Sequence, residues 1–307
     1  MRLAVVGAGR MGRAHLHALA HARGVEAIAI VDPVPSVREQ LAAPGLRTYA
    51  EIDVLIASGD ADAAIVAAPT DLHFELVTKL AAARLATLCE KPCGMHADET
   101  ARAVEAAQSA GIAFQVGYWR RFVPALAALR TRITSGELGQ VQQIWCWQWD
   151  ERPPSPAFRS RSGGILLDMG VHEFDQIRWL TGQELVDVAA VAAGVGWEEP
   201  VPGDPESVAA VARLSDGAVA TVSLGRRLSL CEGCWVEVIG TEGHARSVFV
   251  WGDDGAQVID EALVAQVESF AASVRGGPQQ GATGEDALRA IEAAELAARS
   301  LPAEVRT

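Results

Sequence analysis

The sequence predicts a two-part molecule, an α/β half followed by an α+β half, and three observations carry that prediction. A short apolar strand runs directly into Gly7-Ala8-Gly9-Arg10-Met11-Gly12 and then into a helical stretch. Apolar runs suited to buried strands alternate with helical segments as far as Gly117. Beyond that point short strands follow one another with turn signals between them, before two helical stretches close the chain. The first pattern belongs to a parallel sheet with helices on both faces, and the second to a sheet whose strands are joined directly.

Arg2–Val6 is the first strand, and a helix is expected from the glycine turn to about Ala22. Glycines at positions 7, 9 and 12 permit a tight turn and the close approach of a pyrophosphate to the helix N-terminus. The second strand, Glu26–Val31, ends in Asp32. A carboxylate there accepts hydrogen bonds from both ribose hydroxyls of an adenosine and repels a 2′-phosphate. The unit therefore reads as a Rossmann dinucleotide-binding domain that favours NAD over NADP. Arg38, close by in sequence, keeps a 2′-phosphate in play.

Ala63–Ala67 is a continuous small-apolar run of the kind a strand buried on both faces needs. It ends in Ala68-Pro69-Thr70-Asp71-Leu72-His73, a turn and helix start at the carboxyl edge of the sheet, where ligands bind in such folds. Leu85–Cys89 is the next strand and runs into Glu90-Lys91-Pro92, and Ala113–Gly117 closes the series. Of the 26 basic residues only Lys79 and Lys91 are lysines, which suggests a lysine kept where a guanidinium fork would not serve. Lys79, in a polar helical stretch, reads as a solvated surface residue.

In the second half, Pro124–Thr134 reads as a helix stopped by Ser135-Gly136-Glu137-Leu138-Gly139. Val141–Trp149 alternates as a long strand with Trp145, Trp147 and Trp149 on one face. That row is read as core or subunit interface in preference to a sugar platform, with Trp149 and Trp119 nearest the motifs. Asp150–Ser162, proline-rich and aperiodic, is expected to be a loop offering Phe158, Arg159 and Arg161 for recognition.

Gly163-Gly164-Ile165-Leu166-Leu167-Asp168-Met169-Gly170-Val171-His172-Glu173-Phe174-Asp175 follows. A helix starting near the glycine pair puts Asp168 and His172 on one face, with Asp175 beside them. A carboxylate next to an imidazole is proton-transfer equipment; a solvated polar face is the plain alternative. Strands are then expected at 185–193, 207–214, 218–224, 235–239 and 245–251, with Asp216-Gly217 as a hairpin turn and Thr241–His244 as another tight turn. Helices at 261–275 and 285–300 are joined by a Gly/Pro-rich stretch. The expected domains are 1–118, binding the dinucleotide, and 119–307, binding substrate and building the oligomer, with the C-terminal helix packing back on the first.

A net charge of -13 argues against nucleic acid and against an anionic membrane surface. No apolar run reaches the roughly 18 residues that cross a bilayer, and the N-terminus does not read as a signal peptide, so a cytoplasmic location is expected. Five cysteines fit reduced thiols better than a disulfide framework. Cys231-Glu-Gly-Cys234 lacks a second ligand pair and reads as half-buried strand cysteines, so no metal is expected. The absence of asparagine excludes a Cys-His-Asn protease arrangement.

The fingerprint ending in Asp32, Pro69-Thr70 with His73, Glu90-Lys91-Pro92, Gly117-Tyr118-Trp119-Arg120-Arg121-Phe122, and Gly163-Gly164 to Asp175 occur in that order. In this the chain resembles, over essentially its whole length, the family of glucose-fructose oxidoreductase and inositol 2-dehydrogenase, the Gfo/Idh/MocA type of NAD(P)-dependent oxidoreductase. The resemblance implies a Rossmann domain followed by an α+β domain on a large open, mostly antiparallel sheet. It also implies hydride transfer between NAD and a secondary alcohol of a sugar or cyclic polyol. Lys91, Asp168 and His172 stand at the positions of the family's catalytic lysine, aspartate and histidine. Asp71 stands where members commonly carry asparagine.

On that reading His172, with an ordinary pKa of ~6.5, is the general base, and Lys91 faces the reacting oxygen. Asp168 hydrogen-bonds the substrate or orients His172. Cofactor contacts are expected from Gly7, Gly9, Arg10, Met11, Gly12, Asp32, Arg38, Pro69, Thr70, His73, Glu90 and Lys91. Substrate contacts are expected from Lys91, Trp119, Arg120, Trp149, Phe158, Asp168 and His172. Two alternatives stay open: a dinucleotide or sugar sensor without turnover, and glycosidic cleavage through transient oxidation. The open sheet face suggests a homodimer or homotetramer.

Overall fold

The computed structural model describes residues 1–194 and 200–303. Contacts divide the chain into two compact units, Met1–Trp119 with Asp260–Ala287, and Arg120–Ile259 with the chain from Leu288 onward.

The first unit is built on β1 (Arg2–Val6), α1 (Arg10–His21), β2 (Glu26–Val31), α2 (Pro35–Leu41), β3 (Arg47–Tyr49), α3 (Ile52–Ser58) and β4 (Ala63–Val66). It continues with α4 (His73–Ala82), β5 (Ala86–Cys89), α5 (Ala97–Ala110) and β6 (Phe114–Val116). The six strands form one sheet in the order β3-β2-β1-β4-β5-β6, and every pairing is parallel. Near-continuous apolar strands suit such a sheet because helices cover both faces; β4 and β5 are buried at every position. The chain builds outward through β2 and β3, then returns to the other side of β1 with β4. The carboxyl ends of β1 and β4 are therefore the topological switch point, where ligands bind in open α/β sheets.

The sequence reading sends a C-terminal helix back to the first domain; the segment that returns is Asp260–Ala287. Val267 and Phe270, fully buried, share a core cluster with Leu3, Val5, Ile30, Ile65 and Leu88. They belong to the helix before the last.

The second unit carries α6 (Pro124–Thr134), β7 (Val141–Trp149), α7 (Pro156–Arg159), a π-helical turn at Leu166–Gly170 and α8 (Val171–Thr181). The strands β8 (Leu185–Ala193), β9 (Ser207–Leu214), β10 (Val219–Gly225), β11 (Gly233–Gly240) and β12 (His244–Trp251) follow. The chain ends with α9 (Asp254–Val274) and α10 (Gly284–Ser300). The second sheet has the order β12-β11-β7-β10-β9-β8, antiparallel throughout except for the parallel pair β7–β10. Burial alternates along its strands: Val208, Ala210, Ala212 and Leu214 of β9 are buried, while Val211 between them is 52% exposed. One face is thus covered and the other open.

Four local expectations change. The stretch 150–162 is not all loop, because Ser155 accepts the Phe158 N–H at 3.3 Å and Pro156 occupies the first turn of α7. A serine cap followed by proline is a helix start that the surrounding prolines disguise. The helix after Gly163-Gly164 passes through a π turn at Leu166–Gly170, where the hydrogen bonds span five residues instead of four. The helix expected from Glu261 begins at Asp254, with Gly255 giving the Val250 side chain room that a methyl group would fill. Cys231 lies before β11 and only Cys234 lies on it.

Candidate functional site

In the first unit the glycine fingerprint sits at the switch point. Gly7 has φ +89°, and a Cβ there would lie 2.5 Å from Ala68 N, just beyond β4. A Cβ at Gly12 would lie 1.9 Å from the Gly7 carbonyl, so the turn closes only with glycine. Gly9 faces open space. It is the N-cap of α1, which has no side-chain cap and no acidic residue in its first turn. The first N–H groups of the helix and the positive end of its dipole are thereby available to an anion. Arg10 is exposed and Met11 half-buried at the same end.

Asp32, 8% exposed, closes this cradle. Its Oδ2 accepts the Ala8 N–H at 2.9 Å and its Oδ1 the Val34 N–H at 2.9 Å. Each oxygen keeps a further lone pair for a ribose hydroxyl. Arg38 donates from Nη1 to the Asp32 carbonyl at 2.6 Å. That bond anchors the guanidinium to the backbone beside the carboxylate.

Pro69 is exposed, and Thr70 opens a short 3-10 turn leading to α4. His73, expected to meet the cofactor, is 1% exposed. Its Nδ1 lies 2.7 Å from Pro92 O and its Nε2 2.8 Å from Ala68 O. Burial pulls its pKa down against the two carbonyls, so the neutral ring donates to one of them. His73 thus joins the loops that follow β4 and β5.

Glu90 is likewise interior, 4% exposed. Its Oε1 accepts from His15 Nε2 at 2.6 Å and its Oε2 from the Lys91 backbone N–H at 3.3 Å. Burial alone would push this carboxyl up, but the His15 hydrogen bond and the nearby cationic groups outweigh it and hold the pKa below its ordinary value. Glu90 therefore ties the fingerprint helix to the backbone of Lys91, which is half-buried and followed by a cis peptide bond to Pro92. His15, three residues past the last fingerprint glycine and fully buried, was not anticipated. A histidine on the inner face of an amphipathic helix is the signal that would have marked it.

In the second unit Asp168 lies in the π turn, half-buried, and His172 in the first turn of α8, 7% exposed. Asp168 Oδ2 accepts from Arg226 Nη1 at 2.6 Å. Arg226 also donates from Nη2 to Asp204 Oδ1 at 3.0 Å. Neither partner was singled out from sequence; their signal is a charged residue directly after an apolar strand and an aspartate in a glycine-proline turn. Asp175, beside His172 in sequence, pairs with Arg121 through two bonds of 2.5 and 3.0 Å.

Arg120, expected to shape the substrate pocket, is 2% exposed. It donates to Glu173 at 2.6 Å, Gln148 at 2.7 Å and Gln176 at 3.3 Å. A buried cation needs such partners. Trp149 donates its indole N–H to Ser223 at 3.1 Å and stacks on Trp147. Trp119 is 9% exposed, and Phe158 on α7 is 42% exposed. Arg159 is buried, with Asp204 at 3.5 Å. All five cysteines are free, and burial pushes the thiols of Cys89, Cys146 and Cys234 up, which leaves them poor nucleophiles. Among the described residues there is no cluster suited to a metal ion and no helix long and apolar enough to cross a membrane.

Residues 1–118 match the model of an oxidoreductase family with an NAD-binding Rossmann fold, and residues 126–246 match the GFO/IDH/MocA C-terminal domain. The rhizopine catabolism protein MocA of Rhizobium meliloti is 44% identical over 98% of this chain and 95% of its own length. The myo-inositol dehydrogenase Hyg17 of Streptomyces leeuwenhoekii is 35% identical over 98% of both chains. Among solved structures, a putative myo-inositol dehydrogenase from Sinorhizobium meliloti 1021 superposes with a TM-score of 0.90 at 30% identity, over 98% of this chain and 97% of that one.

Proposed function

The chain belongs to the GFO/IDH/MocA family of oxidoreductases, with an NAD-binding Rossmann fold in its first half, and from that premise we propose that it oxidises a secondary alcohol of a cyclic polyol or sugar. Inositol-like rings are the first substrates to try, since relatives at 35% and 30% identity over nearly their full length carry the names myo-inositol dehydrogenase and inositol 2-dehydrogenase. One observation carries the reading: a cradle fit for a dinucleotide occurs in the same chain as a lysine and an aspartate-histidine pair equipped for proton transfer.

The residues present fit NAD. The uncapped N-terminus of α1 and the space over Gly9 suit a pyrophosphate, and Asp32 retains acceptor capacity for ribose hydroxyls. Bound NAD supplies the hydride acceptor. His172 takes the hydroxyl proton as the carbinol carbon is oxidised, a task suited to an imidazole at neutral pH. Lys91 donates a hydrogen bond to the reacting oxygen and favours its developing negative charge. An ammonium concentrates its charge at one point, which serves a single oxygen better than a planar fork does. Asp168 accepts a hydrogen bond from a substrate hydroxyl or holds His172 in register.

The reading is tested by following NADH formation with NAD and a panel of inositol isomers and aldoses. Substrate-dependent NADH with a keto product supports it. Binding without turnover would favour a sensor, and product release without net NADH would favour glycosidic cleavage through transient oxidation.

A further inference from the structure

Arg226 has no part in the roles above, yet its side chain is fully buried among carboxylates. It is the first residue after β10, which lies between β7 and β9. Gly225 pairs with Trp149 of β7 and with Ser207 of β9, so the residues just beyond the strand ends meet. Asp150 donates its N–H to Gly225 O, and Arg226 donates its N–H to Glu206 O, both at 2.9 Å. The topology thus delivers one arginine to the common end of three strands.

From there the guanidinium reaches Asp168 at 2.6 Å through Nη1 and Asp204 at 3.0 Å through Nη2, with Asp150 at 3.8 Å. Gly164 helps to bring Asp204 there. A Cβ at that position would lie 2.4 Å from Gly203 O, so the glycine that opens the helical turn touches the backbone just before Asp204. Arg159 faces Asp204 from the other side at 3.5 Å. Asp204 is 2% exposed, whereas the Asp168 side chain keeps 13% of its surface.

We propose that Arg226 is a positioning residue for the reaction, fixing Asp168 as a charged acceptor for a substrate hydroxyl and leaving His172 to take the proton. A guanidinium presents its donors in a rigid plane, so using Nη2 on Asp204 fixes where Nη1 holds Asp168. A carboxylate in contact with a buried arginine is poorly placed to store a proton, because protonation would remove one of the two short charge contacts that the guanidinium makes. The proposal rests on Asp168 having the role proposed above.

The test compares R226Q, R226K, D168N and R226Q/D168N by NADH formation on the polyol that the wild type oxidises fastest. NADH binding and melting temperature serve as controls. R226Q is expected to lower kcat by about 100-fold with NADH affinity unchanged, the effect of a misplaced reacting partner. R226K, which restores charge without the fork, is expected to fall between R226Q and wild type in kcat while leaving KM nearly unchanged. In the D168N background R226Q should have little further effect, since Arg226 acts through the group already removed. A merely structural arginine would multiply the two losses, and that result overturns the proposal. So does an R226Q enzyme with the kcat of wild type. Full turnover by D168N would overturn the role of Asp168 itself, and with it this inference. Should R226Q fail to fold, R226K carries the test: unchanged kcat overturns it, and reduced kcat with unchanged NADH binding supports it.

Discussion

Lys91 and His172 are assigned different halves of one proton-coupled step, and they should fail differently. K91M is expected to keep NADH binding and lose turnover by about 10²–10⁴-fold, the usual weight of a positioned acid-base group; turnover near wild type would remove Lys91 from the mechanism. H172Q is expected to lose the near-neutral limb of the kcat/KM pH profile, and an intact limb would show that another group is the base. Glu90 makes a prediction about stability. Its folded-state pKa lies below the ordinary 4.5, so its contribution is present above that value and lost as pH falls through the folded one. E90Q should therefore lose less melting temperature than wild type as the pH is lowered below about 4.5. At this scale the sequence reveals residue types in motifs but not where side chains point. Arg120 adjoins a motif and turns into the interior, while Arg226 adjoins none and holds Asp168, because its place depends on pairing between strands far apart in the chain.

Among the elements, five of the six strands of the first sheet were legible, because a parallel strand covered on both faces is an apolar run and each such run ends on a motif residue, whereas the edge strand β3, Arg47-Thr48-Tyr49, is short, polar and largely exposed and gives no such signal. The fingerprint turn was legible for a related reason: only glycine fits at Gly7 and Gly12. G12V should accordingly lose NADH binding while the second unit keeps its secondary structure, and measurable NADH affinity in G12V would remove the cradle from cofactor binding. The π turn under Asp168 could not be read. A widened turn has no composition of its own; it follows from packing after Gly163 and Gly164, both at positive φ. The short helix α7 was hidden by prolines, although Ser155-Pro156 is a start signal.

For the whole molecule, the open face of the second sheet is the feature most in need of a partner. Trp147 stacks within about 6 Å on Trp149, Trp235 and Trp251. Val191, Val211 and Val248 are each at least half exposed on that sheet. Apolar surface of this kind on a chain with net charge -13 is expected to be covered by a second copy, since like-charged chains gain little from meeting elsewhere. W147E should then shift the sedimentation mass toward the monomer, and a wild type that is itself monomeric would contradict the expectation. Net oxidation of a cyclic polyol by NAD is tested by measuring NADH formed against keto product released, with wild type and K91M side by side. Equal amounts of NADH and ketone from the wild type, abolished in K91M with NADH binding intact, are the predicted result; no NADH from any polyol or sugar, or product without net NADH, would contradict it.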